Sequence, residues 1–154
     1  MTSPPTSSRP QGIAGLAILL AAGTTIGAIS CLSLLSPGGL LEPIWRLNPR
    51  ARVAFARLGP GGPALLASVS LICALAGAGL WRGRRWGYWL TVALFTAHLV
   101  GDVVNAALGI EPRALVGVPI VLGILGFLAT RRARAFFRTA EVPRKIVGPS
   151  GERR

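Results

Sequence analysis

Apolar residues in this chain gather into four long runs separated by shorter polar connections. The first, residues 12–35, holds 24 residues without a charge. At about 1.5 Å per residue that is enough to cross a hydrocarbon layer of roughly 30 Å with some tilt. Further runs follow at residues 62–81, 87–108 and 114–130. The last is short and contains Pro119, which neighbouring helices can accommodate. The pattern predicts an all-α integral membrane protein, a four-helix transmembrane bundle over residues 12–130.

The connections carry signals of their own. Residues 1–11, rich in Pro, Ser and Thr, read as a disordered N-terminal lead. Within residues 36–61, Asn48 can cap a helix, Pro49 suits its first position, and Gly59-Pro60 supplies the stop. Ala51, Phe55 and Leu58 then share one face, and Arg50 and Arg57 another. This predicts a helix lying in the membrane interface, with a solvated loop as the competing reading. Residues 131–154 read as a mobile, basic cytoplasmic tail.

Composition supports the bilayer. Hydrophobic residues make up 51% of the 154 and charged residues 14%, against about 25% charged in soluble domains. The net charge of +12 could indicate nucleic acid. All 17 Lys and Arg, however, lie outside the apolar runs and cluster beside their ends, where cations meet anionic headgroups and set orientation. The bilayer is therefore the expected partner, and nucleic acid is not.

Orientation follows from a count. With the N-terminus inside, the cytoplasmic segments hold Arg9, Arg82, Arg84, Arg85, Arg131, Arg132, Arg134, Arg138, Arg144 and Lys145. The opposite side holds Arg46, Arg50, Arg52, Arg57 and Arg113. The balance favours both termini in the cytoplasm. The sharpest marker is Trp81-Arg82-Gly83-Arg84-Arg85-Trp86, three arginines in a tight turn between two interface-seeking aromatics. A composition heavy in Ala, Gly, Arg and Pro suggests a bacterial chain and so a cell (inner) membrane.

Two other readings of the first run fare less well. As a signal peptide it is too long and no A-x-A site closes it. Ala28-Ile29-Ser30-Cys31 loosely resembles a lipoprotein cleavage box, but the apolar run continues past Cys31. Cys31 and Cys73 read as small packing residues, and a disulfide between them requires that the first two spans pack in register.

The third run is the one broken by groups that a bilayer penalises. His98, Asp102 and Asn105 share a helix face, with Thr91 two turns earlier. Counting from Gly87, His98 sits about 16 Å into the membrane. A central Asp costs about 2.5–3.5 kcal/mol on the insertion scale, and each Leu, Val or Phe returns only about 0.3–0.6. This span therefore needs partners, and its stripe is expected to face the bundle interior. Gly23 and Gly27, a G-x-x-x-G step continued by Ser30 on the first span, are the expected packing surface for it.

Two roles suit the stripe. A histidine one turn from a carboxylate can pass a proton, which points to a small transporter or channel component with a His98/Asp102 proton or ion relay. Alternatively the pair, completed by Asn105, fixes helix register, and the protein is a structural or interaction component, a homo-oligomer or the partner of other membrane proteins. The second reading leads, because one pair is too little to define a route. An enzyme is disfavoured. The single histidine has no serine at hydrogen-bonding spacing on its face, ligands for a metal or haem are too few, and no cofactor motif is present. The four-span plan with a long first external loop is similar to that of claudin-like proteins, but their paired extracellular cysteines have no counterpart here. The early membrane glutamate of small multidrug exporters is absent too.

Overall fold

A computed structural model describes residues 10–108 and 116–139. Residues 1–9, 109–115 and 140–154, which take in most of the lead, the connection before the fourth run with that run's first two positions, and the tail beyond residue 139, lie outside the described residues. Six α-helices are present there: α1 (Gln11–Leu35), α2 (Pro49–Arg57), α3 (Gly61–Trp81), α4 (Arg85–Ala107), α5 (Gly117–Ala129) and α6 (Arg131–Thr139), with a 3₁₀ turn at Glu42–Arg46. Helices α1, α3 and α4 are each long and apolar enough to cross a membrane.

The first two long helices form an antiparallel pair with a regular small-residue seam. Gly77 meets the Leu20 Cβ, Gly23 faces the Cys73 sulfur, and Gly27 lies directly against the Ser70 hydroxyl. The Cys31 thiol donates to the Pro63 carbonyl at 3.3 Å. Small residues let the backbones approach and keep polar atoms within reach of partners that lipid cannot supply. The Gly23–Gly27 face therefore belongs to the α1–α3 contact, rather than serving the third span as the sequence pattern suggests, and Ser30 beside it is buried. A G-x-x-x-G step marks where a backbone can come close, and here the neighbour is the antiparallel α3.

That register also separates the cysteines. Cys31 is opposite Pro63 while Cys73 is opposite Gly23. Ten residues of α3, about 15 Å, lie between the two positions, well beyond the roughly 7 Å limit for a disulfide. Both thiols are free.

Helices α3 and α4 form a hairpin through the arginine turn. Gly83 takes φ +66°, a left-handed conformation that side chains resist, and the Arg84 N–H donates to the Gly79 carbonyl at 2.9 Å. Gly79 and Gly87 touch backbone to backbone, so that a Cβ on Gly79 would lie 2.6 Å from the Gly87 Cα.

Helix α5 returns along α4. It begins beside Asp102, where a Cβ on Gly117 would lie 2.8 Å from Oδ2, and ends beside Tyr88, whose hydroxyl donates to the Leu128 carbonyl at 3.2 Å. Its 13 helical residues measure about 20 Å, short of a full hydrocarbon layer. Pro119 falls in its first turn, where a missing N–H leaves no intrahelical bond broken. No accommodation by neighbouring helices is required.

The start of the basic tail is ordered, contrary to the mobile segment that its charge suggests. Thr130 leaves the helical conformation with ψ 147°, and its hydroxyl accepts from the Ala133 N–H at 3.3 Å, capping α6. Ala133 and Phe137 are each 2% exposed, and the Phe137 ring lies 5.3 Å from that of Tyr88. The buried core gathers at this end, from Ile13, Leu16, Leu20, Leu80, Tyr88, Leu128 and Phe137.

At the opposite end the loop folds back on the bundle. The Trp45 indole donates to the Ser33 hydroxyl at 3.1 Å in a buried contact, and Glu42 pairs with Arg52. Asn48 Oδ1 accepts from the Ala51 N–H at 3.0 Å, with Pro49 at the first turn of α2 and Gly59 at φ +55° after it.

Candidate functional site

The polar stripe of α4 divides along its length. Thr91 is fully buried and its hydroxyl donates to the Gly87 carbonyl at 2.7 Å, so it is satisfied within its own helix. Asp102 is next, its side chain 16% exposed because α5 begins against it. His98, by contrast, has 64% of its side chain exposed, and Asn105 is exposed too. The stripe as a whole does not face the bundle interior.

Helix geometry explains the division. Eighteen residues, about five turns, separate Gly87 from Asn105, so both point in one direction. At Gly87 that direction is filled by Gly79 of α3. By Gly101 nothing lies within 4 Å of where a Cβ would be. The space at Gly101 is open, and with exposed His98 and Asn105 it forms an open edge of α4.

The His98 Nε2 and Asp102 Oδ2 are 3.6 Å apart, an ion-pair separation rather than a good hydrogen bond. The carboxylate lies over the first turn of α5, whose N–H groups have no intrahelical acceptors and whose dipole favours negative charge. Asp102 thus has a structural neighbour that the sequence pattern does not reveal. Gly117 is the residue that makes it possible, since any side chain there would displace the carboxylate. Among the described residues no three His, Cys, Asp or Glu side chains gather into a set that could hold a metal ion.

Residues 63–131 match the model of a family described as predicted membrane protein (DUF2127). The match runs from the first turn of α3 through α4 and α5 to the first arginine of α6, and so includes the arginine turn and the whole stripe. No curated protein and no solved structure matches the chain. Three long apolar helices together with that likeness make this a helical membrane protein.

Proposed function

We propose that the chain is a multi-pass structural or interaction protein of the cell (inner) membrane, crossing it four times with both termini in the cytoplasm, and that its working surface is the open edge of α4. The four crossings draw support from α5, which runs back along α4 from Asp102 to Tyr88. The observation carrying the functional reading is the 64% exposure of His98 just past the middle of an apolar helix. An imidazole facing lipid is costly, and polar groups in spans turn toward protein. A second copy or another membrane protein seated on His98, Gly101 and Asn105 would satisfy it, with Gly101 allowing close approach.

The test is capture at that edge in native membranes. A Gly101→Cys variant of a chain lacking Cys31 and Cys73 should form an oxidative or short-linker adduct with a second copy or one membrane protein. His98→Leu with Asn105→Leu should abolish it. Absence of any adduct across linker lengths would overturn the reading.

A proton or ion relay is the second reading, favoured by the 3.6 Å separation of His98 and Asp102. Gradient-driven flux in vesicles, abolished by His98→Ala or Asp102→Asn with stability unchanged, would establish it. No flux under any gradient would remove it.

A further inference from the structure

Two arginine-bearing segments far apart in sequence meet at one end of the molecule. The first is the α3–α4 turn with Arg82 and Arg84, and the second is the first turn of α6 with Arg131, Arg132 and Arg134, all exposed. What brings them together is specific. Tyr88, one turn into α4, donates to the Leu128 carbonyl just before α6 begins and sets its ring against that of Phe137 within it, tilted by 43°. Helix α6 is thereby pinned by Ala133 and Phe137 on its inner face, leaving its arginines outward.

Among the described residues, no carboxylate shares this end. The acids among the described residues are Glu42 and Asp102. Glu42 is in the loop at the opposite end, paired with Arg52, and Asp102 is 17 residues along α4 from Arg85, about 25 Å away. Exposed tryptophans mark the depth of the surface. Trp81, Trp86 and Trp89 are 51%, 48% and 62% exposed beside the turn, at the level where indoles sit among headgroups. An apolar face, a cationic face and an aromatic belt at one height are the elements of an interfacial lipid contact.

We infer that α6 and the arginine turn form a binding surface for anionic phospholipid headgroups, fixed by the Tyr88–Phe137 contact; this rests on the membrane-spanning reading above. The surface selects charge rather than headgroup shape, since its cations are independent side chains on two elements. Occupied by anionic lipid, it would hold α6 flat against the bundle.

Quenching of tryptophan fluorescence by brominated lipids tests this with the full chain in phosphatidylcholine vesicles. Trp45, 7% exposed, is shielded from the quencher, so the quenchable part of the emission reports the belt. Brominated phosphatidylglycerol should quench more strongly than brominated phosphatidylcholine, the preference falling as salt is raised. R131Q/R132Q/R134Q should lower the preference by up to about a hundredfold while quenching by brominated phosphatidylcholine stays as in the wild type. Equal quenching by the two lipids in the wild type, or a preference retained by the triple variant, would overturn the inference alone. Abolition of the preference by millimolar inorganic phosphate at constant ionic strength would assign the surface to free phosphate and overturn it as well. Lack of quenching by either lipid would overturn insertion itself and this surface with it.

Discussion

Asp102 and Gly117 face each other across the α4–α5 seam so closely that a Cβ on Gly117 would stand 2.8 Å from the carboxylate. The arrangement places the one described acidic side chain of the spans over the first turn of α5, whose N–H groups have no intrahelical acceptors. Gly117→Val should turn the Asp102 carboxylate aside, and because the displaced atom is the end of a rotatable side chain the cost should sit at the low end of overpacking, about 1 kcal/mol, read by reversible unfolding in detergent. Asp102→Asn, which keeps the shape, should cost less than Gly117→Val. Equal stability of Gly117→Val and wild type would refute the contact.

The Gly79–Gly87 crossing makes a stronger demand. Each Cβ added there would meet backbone rather than a flexible side chain, so the helices must separate to admit it. Gly79→Ala and Gly87→Ala are each expected to destabilise by about 1–3 kcal/mol. The double variant should cost less than the sum, because one separation serves both. Strict additivity in the same unfolding assay would argue against direct contact.

Cross-linking reads the α1–α3 register. Oxidation should not join Cys31 to Cys73 within one chain, whereas Pro63→Cys should pair readily with Cys31, which already contacts the Pro63 carbonyl at 3.3 Å. Mobility on a non-reducing gel distinguishes the two, and an internal Cys31–Cys73 bond would contradict the register.

Docking of α6 depends on Tyr88 and Phe137. Tyr88→Phe removes one hydrogen bond to the Leu128 carbonyl, at about 0.5–1.5 kcal/mol. Phe137→Ala empties a site that is 2% exposed and should cost about 3–5 kcal/mol. Amide exchange should rise across residues 131–139 in Phe137→Ala and much less in Tyr88→Phe. Unchanged protection in Phe137→Ala would show that α6 is held some other way.

The first three apolar runs lie within two residues of helix limits, 12–35 against Gln11–Leu35 and 87–108 against Arg85–Ala107. Unbroken apolar character has only one efficient solution when the backbone must satisfy itself. The α2 helix was legible only in part: Asn48, Pro49 and Gly59 are local signals acting within one turn, but a solvated loop competed with the helix in the sequence pattern. Helix α6 was hidden by its charge. Thr130 three residues before Ala133, with Phe136 and Phe137 a turn later, was the available signal, but no acidic residue supports the first turn. Neighbours were the least legible feature. Helical spacing groups His98, Asp102 and Asn105 on one face, yet whether that face is covered depends on where α3 diverges and where α5 begins. Those are properties of the crossing at Gly79 and Gly87 and of the contact at Gly117.

Crossing number is the claim on which the orientation, the lipid surface and the exposed edge of α4 all depend, and α5, at 13 helical residues, is its weakest element. Reporter fusions in whole cells at Pro49, at Gly83 and after Thr139 measure it directly. The reporters at Gly83 and after Thr139 should stand together in the cytoplasm and the one at Pro49 on the opposite side. A reporter after Thr139 that shares the side of Pro49 would mean three crossings and would rule out the four-span arrangement.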